Sequence, residues 1–139
     1  MRNMVVAGGQ LGPISRDETK ASAVNRMIAL MHQAASRGAQ LIVYPELALT
    51  TFFPRWWVEN KTDFDHMFER EMPNEDVLPL FETSKKLNIA FHLGYAELTP
   101  DGHRYNTAIM VNNIGKIIGT YRKIHLPGHS DNQEWRPFQ

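Results

Sequence analysis

The sequence predicts an α/β fold, with a strand–helix–strand unit in front and a strand-rich meander behind. Three observations carry that reading. Met4–Gly9 (MVVAGG) is a short apolar run ending in glycines, Ala21–Ala35 carries an apolar stripe at helical spacing, and Leu41–Tyr44 (LIVY) is a second unbroken apolar run. Runs of this kind read as buried strands, and the stripe reads as one face of an amphipathic helix.

The first run reads as a strand that stops at the turn supplied by Gly8, Gly9 and Gly12. Ser15 stands three positions before Glu18, the spacing of a capping box that satisfies free amides at a helix start. Ala21, Val24, Met27, Ile28, Met31, Ala34 and Ala35 then fall on one stripe, and Gly38 after Arg37 offers a C-terminal stop. LIVY lacks alternation, as in a strand covered on both faces. A strand, a helix and a strand within this length make a right-handed βαβ unit with parallel strands.

Thr50–Trp57 (TTFFPRWW) is too aromatic, and too interrupted by Pro54, for a regular element, and reads as a packed loop. A short helix is expected over 61–70. A longer one is expected from Glu75 to Leu87, with Pro79 in its first turn and Val77, Leu80, Phe81 and Leu87 facing inward. Ile89–Leu98, Tyr105–Val111 and Lys116–Arg122 read as three successive strands joined by turns at Pro100-Asp101-Gly102 and Asn113-Ile114-Gly115. After Pro127-Gly128 the chain turns polar and stops at Trp135-Arg136-Pro137-Phe138-Gln139 with no closing element. Five strands with two or three helices leave an apolar face or an open edge, so sequence is expected to be missing.

Composition narrows the function. With 42% hydrophobic and 22% charged residues, the chain is ordinary for one globular domain. Fifteen basic residues balance fifteen acidic ones, which removes the electrostatic footprint of a nucleic-acid binder or a polybasic membrane anchor. No apolar run approaches the roughly 18 residues that span a bilayer, and no secretion signal is evident, so a cytoplasmic location is expected. Asn60-Lys61-Thr62 is then a glycosylation sequon expected to stay unmodified. Cysteine is absent, so disulfides, thiolate metal sites and a cysteine nucleophile are excluded within this chain.

Glu46 follows LIVY and Pro45, which places its carboxylate at the C-terminal end of a parallel strand, where open α/β sheets bind ligands. The plain alternative is a solvated acid opening a loop. Lys123 ends the last strand and suits stabilisation of a developing oxyanion, against the alternative of an ordinary surface lysine. His125 and His129 stand four apart, but Pro127 and Gly128 break any helix that would aim both at a metal. Phe52, Phe53, Trp56 and Trp57 read either as the lining of a substrate cleft or as core packing or an oligomer contact. Gly8, Gly9 and Gly12 miss the G-x-G-x-x-G spacing, so dinucleotide binding is not expected.

The segments Tyr44-Pro45-Glu46-Leu47 and Tyr121–His129 (YRKIHLPGH) resemble the first two signature blocks of the nitrilase superfamily of carbon–nitrogen hydrolases, with Lys123 following Glu46 by 77 positions. Glu46–Trp56 (ELALTTFFPRW) and Leu93–Leu98 (LGYAEL) resemble its N-carbamoyl-D-amino-acid hydrolase branch. The resemblance covers the chain from its first strand to Gln139 and corresponds to a little under half of a typical member. It implies the front half of an αββα sandwich, with residues 1–139 the N-terminal portion of one truncated domain. It also implies a Glu-Lys-Cys triad in which Glu46 is the general base, of raised pKa, and Lys123 supports the tetrahedral intermediate. The cysteine belongs to a third block not present here, so the chain alone is expected to be inactive. His125 either braces the pocket around Lys123 or is a structural histidine.

The implied reaction is hydrolysis of N-carbamoyl-D-amino acids to the D-amino acid, ammonia and carbon dioxide, with no metal or organic cofactor. The implied partner is a small-molecule substrate, with homo-oligomers formed by the full-length protein. Two other readings stand beside this one: a non-catalytic binding or assembly module, and a different amidase or ureido-acid hydrolase of the same superfamily.

Overall fold

The computed structural model describes residues 3–56 and 60–126. Trp57, His129 and the polar terminal segment after Leu126 lie outside the described residues. Five strands and two α-helices follow in order: β1 (Val6–Gly8), α1 (Lys20–Ser36), β2 (Leu41–Val43), α2 (Leu78–Leu87), β3 (Ala90–Leu98), β4 (Arg104–Val111) and β5 (Ile117–Arg122). They form one sheet in the order β1-β2-β3-β4-β5. The first three strands are parallel and the last two add as antiparallel hairpins. This is the mixed α/β architecture read from the sequence.

Helix α1 begins one turn later than the Ser15/Glu18 spacing implies. Thr19 is its cap, its hydroxyl accepting from the Ser22 amide at 3.2 Å. Ser15 and Glu18 instead close a turn ahead of the helix, and the Glu18 carboxylate is taken by Arg26 Nη1 at 2.9 Å and Ser22 Oγ at 3.0 Å. The buried stripe is accordingly Ala23, Val24, Met27, Met31 and Ala34, with Ala21 exposed. Gly38 ends the turn at φ 79°, in the left-handed region that favours glycine. For α2, Asn74 Oδ1 accepts from the Val77 amide at 3.2 Å, Pro79 sits in the first turn and Asn88 closes the helix at φ 55°.

Both helices pack on one face of the sheet. Met27 and Met31 of α1 meet Leu80 and Phe81 of α2 over Ile42, Phe91, Leu93, Ile109 and Val111, all buried. Each such side chain contributes about 1.5–3 kcal/mol on leaving water, which holds the parallel strands although β1 and β2 have three residues each. A second cluster, Leu47, Phe53, Phe64, Met67, Phe68, Ala96 and Leu98, packs where the loops after β2 cross the end of β3. The short helix expected over 61–70 is a 3₁₀ helix, Lys61–Met67, with the Asn60 side chain accepting from the Thr62 amide.

The other face of the sheet differs from expectation at LIVY. Val43 is 37% exposed and Val6 53%, because the loops that cover Ala96 and Leu98 on that side do not reach over β1 and β2. Tyr121, register partner of Ala108, is exposed as well. The apolar face left open by too few helices is therefore present. No helix among the described residues is long and apolar enough to cross a membrane.

Candidate active site

Three anchors set Glu46 at the end of β2. The first is Tyr44, whose amide donates to the His92 carbonyl at 3.0 Å and whose hydroxyl donates to the Met27 carbonyl at 2.7 Å. Its ring is buried edge-on against Phe91, and that burial pushes the phenol well above the usual tyrosine range. The second is Gly94 of β3: a Cβ there would lie 3.0 Å from Glu46 Cα and 3.1 Å from the Pro45 carbonyl. Only glycine lets the turn lie that close to the strand, and Ala48 then donates to the Gly94 carbonyl at 2.8 Å. The third is Leu47, which holds φ at 51° while its side chain is buried in the second cluster. A bulky residue in the left-handed region costs of order 1–3 kcal/mol and persists where packing over-determines it, which is common at functional sites. Between buried Tyr44 and buried Leu47, the Glu46 side chain projects outward, 42% exposed.

Lys123 arrives from the opposite edge of the sheet. Register pairs Thr107 with Arg122, and the ladder runs one step further as the Lys123 amide donates to the Asn106 carbonyl at 2.8 Å. The Lys123 ammonium then donates to Glu46 Oε1 at 2.7 Å, and Asn106 Nδ2 donates to the same oxygen at 2.5 Å. Among the described residues nothing donates to Oε2. One oxygen of the carboxylate is thus held by two donors, and the other is open to a proton donor.

The electrostatics correct one expectation. Partial burial pushes the Glu46 carboxyl up, but the hydrogen bonds from Lys123 and Asn106, with the charge of Lys123, outweigh it and hold the group below its usual value. A raised pKa would need drier surroundings than these. At neutral pH the carboxylate is ionised and the site can accept a proton.

Of the residues singled out in the sequence, Glu46 and Lys123 come together, whereas His125 is exposed and makes no hydrogen bond to either among the described residues. Within the aromatic loop, Phe53 is fully buried with Phe64 and Phe68 at ring distances of 5.3 Å, so it packs the core and does not line a cleft. Phe52 is exposed, and Trp56 lies over the same cluster. Asn106 and Gly94 escaped the sequence reading. The only signal for Asn106 was a polar amide inside a predicted strand, and for Gly94 a glycine in the middle of one.

Residues 5–139 match the family model of the carbon-nitrogen hydrolases. Among curated proteins, the chain is 27% identical to a glutamine-dependent NAD(+) synthetase of Acinetobacter baylyi over 99% of its own length and 23% of that protein's. It is 31% identical to an omega-amidase of Danio rerio over 77% of its length and 36% of the relative's. It is 30% identical to a citrullinase of Francisella tularensis over 96% of its length and 44% of the relative's. The chain therefore spans less than half of each of these relatives. Among solved structures, a carbon-nitrogen hydrolase from Helicobacter pylori superposes with TM-score 0.71 at 22% identity, covering 89% of this chain and 40% of that one. An amidase from Nesterenkonia superposes with TM-score 0.70 at 20% identity, covering 91% of this chain and 44% of that one. At these identities the two structures establish the fold.

Proposed function

This chain belongs to the carbon-nitrogen hydrolase family, and on that premise we propose that it carries the base and the cation of a cysteine hydrolase whose thiol lies outside these 139 residues. The observation that carries the proposal is the 2.7 Å contact between Glu46 and Lys123, two groups 77 positions apart that approach from different strands. A thiol is mostly protonated at neutral pH and needs a base. Glu46 Oε2, which has no donor among the described residues, takes the thiol proton as sulfur bonds to the substrate carbonyl carbon. The carbon–nitrogen bond then breaks, and the leaving nitrogen takes that proton back. Water, deprotonated by the same carboxylate, cleaves the acyl or carbamoyl thioester and regenerates the thiol. Lys123 offsets negative charge on the carbonyl oxygen, a contribution of roughly 2.7–4 kcal/mol for one well-placed donor. The open sheet face supports a second layer over this half of the site, and a layer that excludes water would also raise the Glu46 pKa.

As substrate we propose an N-carbamoyl-D-amino acid, released as D-amino acid, ammonia and carbon dioxide. Support for that choice comes from ELALTTFFPRW and LGYAEL, which surround the base and supply Gly94. A second reading, hydrolysis of another amide or ureido compound, is favoured by the range of relatives, which include an omega-amidase and a citrullinase. The test joins this chain to the cysteine-bearing remainder of a carbon-nitrogen hydrolase and assays ammonia release. Preference for N-carbamoyl-D-amino acids over their L-enantiomers and over simple amides supports the first reading. The reverse preference establishes the second.

A further inference from the structure

Behind the Glu46–Lys123 pair, on the helix-covered face of the sheet, stands a second polar cluster. Side chains alternate across a strand, so Thr107 and Arg122, partners across β4 and β5, face away from Asn106 and Lys123. Arg122 grips Glu97 of β3 with both prongs of its guanidinium, Nε to Oε2 at 2.8 Å and Nη2 to Oε1 at 2.7 Å. Thr107 Oγ1, fully buried, donates to Glu97 Oε2 at 2.6 Å. The Arg122 guanidinium carbon also lies 4.1 Å from the ring centre of Tyr105. Three strands are thereby tied together at the end of the sheet that carries the site.

Strand β5 needs such a tie. It is the edge strand, and five of its six residues are exposed, so burial does little to hold its end in place. Lys123 is the first residue past that end, joined to the sheet by one backbone hydrogen bond and carrying a flexible four-carbon side chain. A single exposed ion pair would be a poor anchor. A two-pronged arginine–carboxylate contact fixes both distance and plane, and here it is backed by a buried hydroxyl and an aromatic face.

We propose that Glu97 and Arg122 are positioning residues for Lys123, clamping the end of β5 so that the ammonium is held against Glu46. The inference deepens the functional reading above and rests on it. It assigns a task to two residues that touch neither the base nor the amine.

The test follows the Glu46 carboxyl carbon by NMR through a pH titration of the 139-residue chain. Removing the negative charge of Glu97 by itself makes a nearby carboxyl easier to ionise, so direct electrostatics would lower the Glu46 pKa in Glu97→Gln. Release of Lys123 works in the opposite direction. A rise toward the ordinary carboxylate value in Glu97→Gln supports the clamp. Arg122→Lys keeps the charge but loses the fork, so a rise there supports it too, and this variant decides the matter if Glu97→Gln fails to fold. If Lys123→Met raises the Glu46 pKa while the folded clamp variants leave it at or below the parent value, the positioning role is overturned and the pair stands. If Lys123→Met also leaves it unchanged, the pair itself is disproved, and the clamp with it.

Discussion

Glu46 offers its two oxygens unequally: Oε1 accepts from both Lys123 and Asn106, while Oε2 has no donor among the described residues. That asymmetry comes from two residues on neighbouring strands, Asn106 inside β4 and Lys123 just beyond β5, and from a turn pressed against Gly94. The meeting of Glu46 and Lys123 was legible in the sequence, because each stands at the end of a predicted strand and each sits in a recognisable block. Asn106 and Gly94 were not. Their roles depend on which strand residue faces which turn, and that is decided by pairing register across residues far apart in the chain. Gly94→Ala is predicted to destabilise the fold by about 1–3 kcal/mol, because the added methyl meets the backbone of Pro45, Glu46 and Leu47, not a movable side-chain tip. Urea unfolding measures this, and a change within about 0.5 kcal/mol, typical of an indifferent surface site, would contradict the close approach.

Among the elements, α1 illustrates both the reach of pattern reading and its limit. Its existence and its Gly38 stop follow from spacing, and the hairpins β3–β4 and β4–β5 follow from Pro100-Asp101-Gly102 and Asn113-Ile114-Gly115. Each of these three strands begins or ends within one residue of expectation, since turn chemistry fixes strand ends locally. Thr19 was missed because Ser15 and Glu18 present the letters of a capping box while making a preceding turn, with Glu18 drawn off by Arg26. Thr19→Ala is therefore predicted to cost about 1 kcal/mol, and Ser15→Ala to stay within about 0.5 kcal/mol. Denaturant midpoints of the two variants decide it, and a larger loss in Ser15→Ala would reinstate the earlier start.

At the scale of the molecule, the helices cover one face of the sheet, while the other carries only the loop cluster over Ala96 and Leu98 and is open over β1 and β2. The helices bury Ile42, Phe91, Leu93 and Ile109, while Val6, Val43 and Tyr121 remain open to solvent. LIVY reads as covered on both sides because local sequence records a residue's apolarity and not the layer that meets it. Ion pairs carry part of what ties the site end together, and this gives the fold an acid limit. Glu46 and Glu97 are both held below their usual value of 4.5, Glu46 against partial burial by Lys123 and Asn106, and Glu97 chiefly by Arg122. The unfolded chain thus binds protons first as pH falls. The stabilisation is complete above about 4.5, and is lost as pH drops through the folded-state values. Urea midpoints recorded between neutral pH and pH 3 should fall only below that point, and a midpoint that rises on acidification would reverse the sign. The measurement that bears most directly on the whole is ammonia release by this chain joined to a cysteine-bearing remainder, compared with its Glu46→Gln and Lys123→Met variants. A loss of about 10²–10⁴-fold without the carboxylate, and a severe loss without the amine, is the predicted result. Undiminished hydrolysis in either variant would contradict it.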